Sequence, residues 1–228
     1  MTYGEIKIET LKIMFANENE EITSDTLDFY ESDENYRGYL LNMRGALNRC
    51  FSVIEEKRVL PTRSKKLSYT DGEMGASFIR FNLSKLFSDY FDIDRVVMET
   101  SDGEYDGDCE YKREGDVLVL PLENLVKIRV KNGLLFYEER TDVTYYVLYA
   151  PKIKRVTFAT TNTEELKDIP EGISSYIPFY LKGELFREDE PNEAGEARNW
   201  FEQALSEIRQ RSGSRSTSVN SIYSQAEW

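Results

Sequence analysis

The chain has 228 residues, a formal net charge of −13 and no histidine. An acidic surface repels phosphates, so this composition argues against a general nucleic-acid binder or a protein that binds anionic membranes. The absence of histidine excludes Ser–His and Cys–His nucleophiles and His-ligated zinc sites.

The first 62 residues are predicted to be helical. A short helix is expected over residues 4–16, followed by a single turn capped by Ser24. A longer helix comes next, for which Asp33 is the expected N-cap and Pro61 the terminator. Its apolar residues recur at intervals of three and four: Tyr36, Tyr39, Leu40, Met43, Leu47, Cys50, Phe51 and Ile54.

The two cysteines and the N-terminus indicate the compartment. Cys50 and Cys109 are far apart and form no CxxC motif, so we expect reduced thiols in a reducing cytosol. The opening residues lack a basic stretch followed by a continuous apolar run, so we expect no signal peptide. No segment approaches the roughly 18 apolar residues that a membrane span needs.

Residues 63–160 are rich in β-branched and aromatic residues and in turn signals. The pair Asn132–Gly133 lies between two β-type runs and predicts a two-residue hairpin. Further strands are expected in the stretches GASFIRFNL, RVVMET, DVLVLPL and DVTYYVLYAP. About four to six antiparallel strands at this spacing predict a small sandwich or half-barrel.

Helical periodicity returns near residue 170. Pro178 lies inside an apolar stripe, so we expect either a kink or a helix that begins near Ile177. A last helix should follow the acidic stretch REDEPNEAGE, with Pro191 ending the preceding segment and Asn192 as the N-cap. Its predicted buried stripe is Ala194, Ala197, Trp200, Phe201, Ala204, Leu205 and Ile208.

These elements predict an α+β protein whose helices come from both ends of the chain. Helices separated by a β block must meet to bury their apolar stripes, so we expect a helical bundle with an inserted β domain. The predicted parts are residues 1–62 and 161–211 for the bundle, 63–160 for the β domain, and 212–228 for an extended arm.

The acidic stretch near residue 190 is the first candidate for a chemical site. Clustered carboxylates such as those of residues 188–190 are ligands that magnesium accepts. However, Asn192 is a good N-cap, and Pro191 is typical of the end of the preceding segment. Glu193 and Glu196 fall in the first turn, where the helix dipole favours acids. The pattern favours a turn between helices, and we expect neither a catalytic residue nor a cofactor.

Three other stretches receive structural interpretations. Residues 101–116 alternate acids as a calcium loop does, but Arg113 stands where a bidentate glutamate is required, so we expect a polar turn. The glycines of residues 69–77 lack the spacing of a phosphate-binding loop. The tyrosines of TYYVLY are more typical of sheet packing, although an exposed row would stack sugars or bases.

The end of the chain combines a Ser-rich stretch with large apolar residues. It has no apolar periodicity, so we expect it to be disordered in isolation. Its apolar residues are of the kinds that anchor interfaces, which favours a docking arm over a tail with no role. The expected anchors are Val219, Ile222, Tyr223 and Trp228.

Two stretches carry a family resemblance: IPEGISSYIPFYLKGELFREDEPNEAGEARNWFEQAL at residues 169–205, and residues 6–61, from IKIETLKIMFAN to VIEEKRVLP. Both resemble the head-to-tail connector proteins, or adaptors, of tailed bacteriophages. The resemblance covers the two helical ends, roughly half of the chain. The β insertion departs from the small all-helical adaptors.

The resemblance implies a structural role and no reaction. Adaptors form a dodecameric ring beneath the portal, extend the DNA channel and present a surface to a stopper or tail-completion protein. A C-terminal extension commonly embraces the portal in that family, which fits the segment SIYSQAEW. The implied location is the virion neck, assembled in the bacterial cytoplasm. We further expect an acidic lumen to pass double-stranded DNA without binding it.

Two other functions stay open at this point. A virion β module that binds a glycan, or another capsid or tail protein, would show an exposed aromatic row on one sheet face and no ring. A metal-binding carboxylate hydrolase would use the acidic stretches, and saturable calorimetric binding of calcium, magnesium or manganese would favour it.

Overall fold

A computed structural model of the chain describes residues 1–15, 22–75, 77–100, 106–121, 126–131, 134–139 and 143–213. Helices and antiparallel sheets make this an α+β protein, as predicted. The chain forms two compact units. The helical unit contains Met1–Leu60 and the described residues from Ile153 onward, and the β unit is Pro61–Lys152. The second boundary lies earlier than residue 160, where the sequence placed it.

Helix α1, Tyr3–Met14, begins at a capping box. The Thr2 hydroxyl accepts a hydrogen bond from the Glu5 N–H at 3.1 Å, and the Glu5 carboxylate accepts one from the Thr2 N–H at 2.7 Å. Two backbone donors that a helix start leaves without partners are thereby satisfied. The predicted first helix is confirmed to within two residues.

Helix α2, Leu27–Ser32, begins later than predicted, and the assignment of Ser24 as its cap was wrong. Thr26 occupies the N-cap position, and its hydroxyl accepts a hydrogen bond from the Thr23 N–H at 2.9 Å. Four consecutive residues from Thr23 are all capable of capping a helix. Local propensity therefore could not choose among them.

Helix α3, Glu34–Glu56, starts as predicted, because the Asp33 carboxylate accepts the Asn35 N–H at 2.8 Å. Its end differs from the prediction. Arg58 adopts a left-handed backbone conformation with φ of 52°, so the helix has already ended when the chain reaches Pro61. The predicted apolar stripe is buried, with Tyr36 and Tyr39 half-exposed at its N-terminal end.

The β unit contains short antiparallel strands and one helical turn, α4, at Leu83–Leu86. The strands are β1 Arg63–Ser68, β2 Glu73–Met74, β3 Phe78–Asn82, β4 Tyr90–Thr100, β5 Asp106–Asp108, β6 Lys112–Glu114, β7 Val117–Pro121, β8 Val126–Lys131, β9 Leu134–Glu139 and β10 Val143–Pro151. One sheet has the order β1-β10-β4-β5 and another the order β2-β3-β7-β6.

Strands β8 and β9 form the predicted hairpin as a separate two-stranded sheet. Lys131 lies opposite Leu134 in the register, so the connection has two residues, as the Asn-Gly signal requires. Asn132 and Gly133 themselves lie outside the described residues.

The two four-stranded sheets contribute to one apolar core. Leu67 and Val147 of the first sheet and Phe81 and Leu120 of the second are buried. Inward positions alternate with more exposed ones along β3 and β7, which is the period expected of strands with one apolar face.

Three helices follow the β unit: α5 Glu171–Ser174, α6 Ile177–Leu185 and α7 Pro191–Gly213. Helix α6 begins at Ile177 with Pro178 in its first turn. Proline is tolerated there because the missing N–H would have had no intrahelical partner. The predicted helix start at this proline is confirmed.

Helix α7 begins two residues before its predicted first residue, Glu193, so the prediction that Pro191 ends the preceding segment was wrong. Pro191 is its first residue, so Asn192 lies inside the first turn and is not the N-cap. Proline is favoured at the first helical position because its φ is preset and its nitrogen has no proton to satisfy. The Ala194 N–H closes the turn by donating to the Glu190 carbonyl at 3.0 Å.

Helices α1, α3, α6 and α7 share one apolar core, to which both ends of the chain contribute. Its members that are almost completely buried include Ile6, Leu11, Met43, Leu47, Phe51, Ile54, Ile177, Leu181 and Phe201. Among the described residues, no helix is both long enough and apolar enough to cross a membrane.

The chain re-enters the helical unit through residues 153–156, which lie along α3. The Val156 N–H donates to Asn48 Oδ1 at 2.9 Å, and Asn48 Nδ2 donates to the Val156 carbonyl, also at 2.9 Å. The Ile153 N–H donates to Glu55 Oε1 at 2.6 Å. Side chains on one face of a helix therefore satisfy the backbone of a segment that belongs to no sheet.

Glu55 is the most buried charged residue of this contact, at 2 % exposure. The Arg155 guanidinium binds it in a fork, with Nη1 at 2.9 Å from Oε1 and Nη2 at 2.6 Å from Oε2. Nη2 also donates to Ser52 Oγ at 3.1 Å. A buried carboxylate is costly unless paired, and here both oxygens have charge-assisted donors.

We predict that Glu55→Ala lowers the free energy of unfolding by about 2–3 kcal/mol, because Arg155 and the Ile153 N–H lose their acceptor. Urea denaturation measures the change. Lys154→Ala is the matched control, since it removes an exposed ion pair with Glu164, and it should leave the urea midpoint unchanged. Equal losses in the two variants would contradict a special role for Glu55.

Candidate interaction surface of the helical hairpin

The hairpin of α6 and α7 is held together by a close approach at Gly183. A Cβ placed there would lie 2.6 Å from Arg198 Cγ and 3.0 Å from the Ala194 carbonyl oxygen. Only a residue without a side chain lets the two helices come this near. The glycine of the GEL sequence is thus explained by helix packing.

A half-buried ion cluster lies beside this contact. The Glu184 carboxylate, whose side chain is mostly buried, accepts a hydrogen bond from Arg49 Nε of α3 at 3.1 Å and forms an ion pair with Arg198 of α7. One carboxylate of α6 therefore joins three helices of the unit. Its charge is matched by two guanidinium groups, which offsets the cost of its burial.

Two neutral groups next to Glu184 are shifted toward their protonated forms. Burial, reinforced by the Glu184 carboxylate, raises the pKa of the Tyr180 hydroxyl to about 12 and raises that of the Cys50 thiol well above its ordinary value. A buried thiol of raised pKa is a poor nucleophile. Both residues therefore act as core groups at neutral pH.

Two carboxylates of the acidic stretch at the start of α7 have partners elsewhere in the helical unit. Asp189 accepts a hydrogen bond from the Tyr39 hydroxyl at 2.8 Å, and Glu193 forms an ion pair with Lys182 at 2.6 Å. Within the described residues, no three His, Cys, Asp or Glu side chains are arranged to hold a metal ion. Residues 187–189 form a turn between α6 and α7, so the turn interpretation of this stretch is confirmed.

Trp200 is a residue of the hairpin whose burial was predicted wrongly from the sequence. It was expected in the buried stripe of α7, yet it is 59 % exposed, whereas the adjacent Phe201 is buried against Tyr180 with ring centroids 5.0 Å apart. Consecutive helical residues point about 100° apart, so only one of two neighbouring aromatics can face the core centre. The small residues Ala197 and Ala204 complete the buried face instead.

Large apolar side chains are also exposed elsewhere in the helical unit. Leu41 of α3 and Phe158, which follows the 153–156 segment, are both mostly exposed. The Arg44 guanidinium carbon lies 3.2 Å from the centroid of the Phe158 ring, a cation–π contact. Exposed aromatic and arginine side chains are the residue types enriched at protein interfaces.

The remaining candidates of the sequence analysis divide into two groups. The proposed arm anchors Val219, Ile222, Tyr223 and Trp228 lie outside the described residues, as do the leading acids of the calcium-like loop. A Cβ on Gly72 would lie 2.5 Å from the Ile79 side chain. Close packing therefore explains this glycine, and a phosphate-binding loop is not needed to account for it.

Two of the three tyrosines of strand β10 face the core. Tyr145 and Tyr149 are buried, and Tyr146 is half-exposed. Phe81 packs edge-on against Tyr145, and Phe87 against Tyr149. The packing interpretation of this strand is therefore confirmed, and the row of exposed aromatics that a glycan site would use is not formed by these residues.

A cleft of about 300 Å³ in the β unit contains both aromatic and charged groups. Its Arg113 donates to Asp92 Oδ1 at 2.6 Å, and the Tyr90 hydroxyl donates to Asp116. Arg113, Tyr90 and Asp116 of this cleft therefore already have partners within the protein. A second cleft, of about 440 Å³, follows residues 153–168 of the helical unit.

A scan of the sequence against models of protein families finds no match, and a search among curated proteins finds none of significant similarity.

We predict that Gly183→Ala lowers the free energy of unfolding by about 1–3 kcal/mol, because its Cβ would meet the Ala194 backbone and force α6 away from α7. Gly195→Ala in α7 is the matched control. Nothing lies within 4 Å of its added Cβ, so it should stabilise the helix by about 0.5–1 kcal/mol. Urea denaturation compares the two. Similar midpoints would contradict the close approach.

The raised pKa of Tyr180 predicts a loss of stability at high pH. Its folded-state pKa of about 12 exceeds the ordinary value of 10.0, so its contribution is complete below pH 10 and is lost as the pH rises to 12. Tyr180→Phe should lose less stability over this interval than the wild type. Urea midpoints at a series of pH values test this, and parallel curves would contradict it.

Proposed function

We propose that this chain is a ring-forming head-to-tail adaptor of a tailed bacteriophage. Copies of it would dock beneath the portal, extend the DNA channel and present a surface to a stopper or tail-completion protein. The function is architectural and involves no catalysed reaction. The place of action is the neck of the virion.

The observation that carries the proposal is the α6–α7 hairpin. Its sequence is the stretch that resembles adaptors, and its unusual residues have packing roles. Pro178 begins α6, Gly183 brings the helices together and Pro191 begins α7. A motif whose residues specify a shape supports a structural function better than a chemical one.

The exposed Trp200 supports an interface on this hairpin. Tryptophan buries a large area when it is covered, and it is among the residue types that most often dominate binding energy. Here it projects from a helix face whose other exposed residues, such as Glu196 and Gln203, are polar. A soluble single-copy role would gain nothing from this side chain.

The net charge supports the passage of DNA through such a ring. A charge of −13 per copy is multiplied in an oligomer, and a wall of that sign repels phosphates. DNA could then slide through the ring without specific contacts. The same charge disfavours any role that requires nucleic-acid binding.

We predict that removal of residues 214–228 abolishes portal binding and leaves the fold intact, because the proposed anchors lie in that segment and the described helical core is built from residues up to Ile208. Negative-stain micrographs of the chain mixed with portal rings measure binding, and thermal unfolding by circular dichroism measures the fold.

Matched substitutions distinguish the apolar anchors of the arm from the Ser-rich residues that precede them. Replacing Ile222, Tyr223 and Trp228 together by serine should act like the deletion, whereas Arg215→Ser should bind normally. A truncated chain that still decorates portals would refute the docking arm. An intact chain that never forms rings on portals would refute the adaptor function itself.

A further inference from the structure

One face of α3 is used in two different ways along its length. Its C-terminal part, with Asn48, Ser52 and Glu55, is covered by residues 153–156. The N-terminal continuation of the same face, from Arg37 to Gly45, is open to solvent. One face of α3 is therefore covered by residues 153–156 near its C-terminal end and forms an open strip near its N-terminal end.

The open strip contains two glycines that the chain does not need for its own packing. A Cβ on Gly38 would have no atom within 4 Å, and one on Gly45 would meet only the Arg49 side chain at 3.6 Å. Each glycine costs about 0.5–1 kcal/mol in a helix interior relative to alanine. A close approach by another chain would explain why this cost is tolerated.

Apolar and cationic side chains lie between and beside these glycines. Leu41 projects from the strip with two-thirds of its surface exposed, and Arg44 is stacked on Phe158. The strip itself contains two arginines, Arg37 and Arg44, and the helix has no acid between Glu34 and Glu55. The third arginine of the helix, Arg49, lies beyond the strip and is paired with Glu184. In a chain of net charge −13, this strip is a local positive surface.

Helix α7 presents a surface of the opposite character. Glu193, Glu196, Trp200, Gln203 and Glu207 follow one another at intervals of three and four and are all exposed. Residues at these spacings share one face of a helix. The face is acidic, with one large aromatic side chain at its centre.

We propose that the α7 face of one copy docks on the α3 strip of a second copy of this chain. Trp200 enters the notch beside Leu41 that Gly38 and Gly45 leave open, and the acids of α7 meet the α3 arginines. The two surfaces are opposite in charge. The α7 face is about 21 Å long over residues 193–207, which is long enough to cover the open strip, about 12 Å long over residues 37–45.

This contact joins two different surfaces, so it is heterologous, and repetition of it leads from copy to copy and closes into a ring where the rotation permits. The inference rests on the proposed function, for which it supplies the subunit interface. Its occupant is a second copy because the complementary surface is present on the chain itself.

Truncation of the central aromatic provides the first test. Trp200→Ala should weaken self-association by about thirtyfold or more, as expected for the loss of an interface anchor. Sedimentation velocity of the full chain, alone and with portal rings, measures it. Phe29→Ala is the matched control, since Phe29 is also 59 % exposed but lies on α2, and it should associate as the wild type does.

A charge exchange provides the second test. Arg37→Glu and Glu196→Arg should each weaken self-association because each places like charges across the contact. The double variant, and an equimolar mixture of the two single variants, should recover it because opposite charges meet again. Gly38→Leu should also block the contact while leaving the monomer folded, since its side chain would project into open space.

The outcomes distinguish a failure of the proposed interface from a failure of the proposed adaptor function. If rings form on portals and all these variants form them equally well, the proposed interface is wrong and the adaptor function stands. If Trp200→Ala self-associates normally but loses portal binding, the tryptophan contacts the portal and the interface is again wrong. If the intact chain forms no assembly alone or with portals, both proposals are wrong.

Discussion

The fork between Arg155 and the buried carboxylate of Glu55 is the interaction on which the helical unit depends. A unit built from the two ends of a chain needs a point where the returning segment is fixed against the first half. Residues 153–156 have no sheet partner, so side chains of α3 must satisfy their backbone. The contact is specific because an unpaired buried carboxylate would be expensive, and only one placement of the segment pairs it.

The same helix organises the rest of the unit. One side of α3 packs in the core with α1, α6 and α7, and Arg49 reaches the Glu184 carboxylate of α6. Glu184 in turn binds Arg198 of α7, so the hairpin is tied to α3 by charge as well as by apolar packing. Once these sides are occupied, the N-terminal half of the helix retains one open strip. An interface between copies fits this division, because the surfaces required within a copy are already in use.

The successes and failures of the sequence predictions follow from how local each signal is. Asp33 was assigned correctly as an N-cap, and of the two alternatives predicted for Pro178, a kink or a helix start near Ile177, the helix start is observed. The assignments of Ser24 and Asn192 as N-caps were wrong because neighbouring residues were equally able to begin the helix. The predicted burial of Trp200 was wrong because helical spacing places this residue at the margin of the apolar face, where burial depends on the partner helix.

The α+β class, the division into helical ends and a β block, and the hairpin around residues 126–139 followed from periodicity and turn chemistry, which are properties of short stretches. The number of strands did not, since about four to six were expected and the described residues form ten. The placement of residues 153–156 on α3, the close approach at Gly183 and the exposure of Trp200 were decided by tertiary structure alone. These features join residues far apart in sequence, and no local pattern encodes which of two surfaces will be covered. The candidate interface between copies was likewise decided by tertiary structure, because it consists of the surfaces of α3 and α7 that remain exposed after folding.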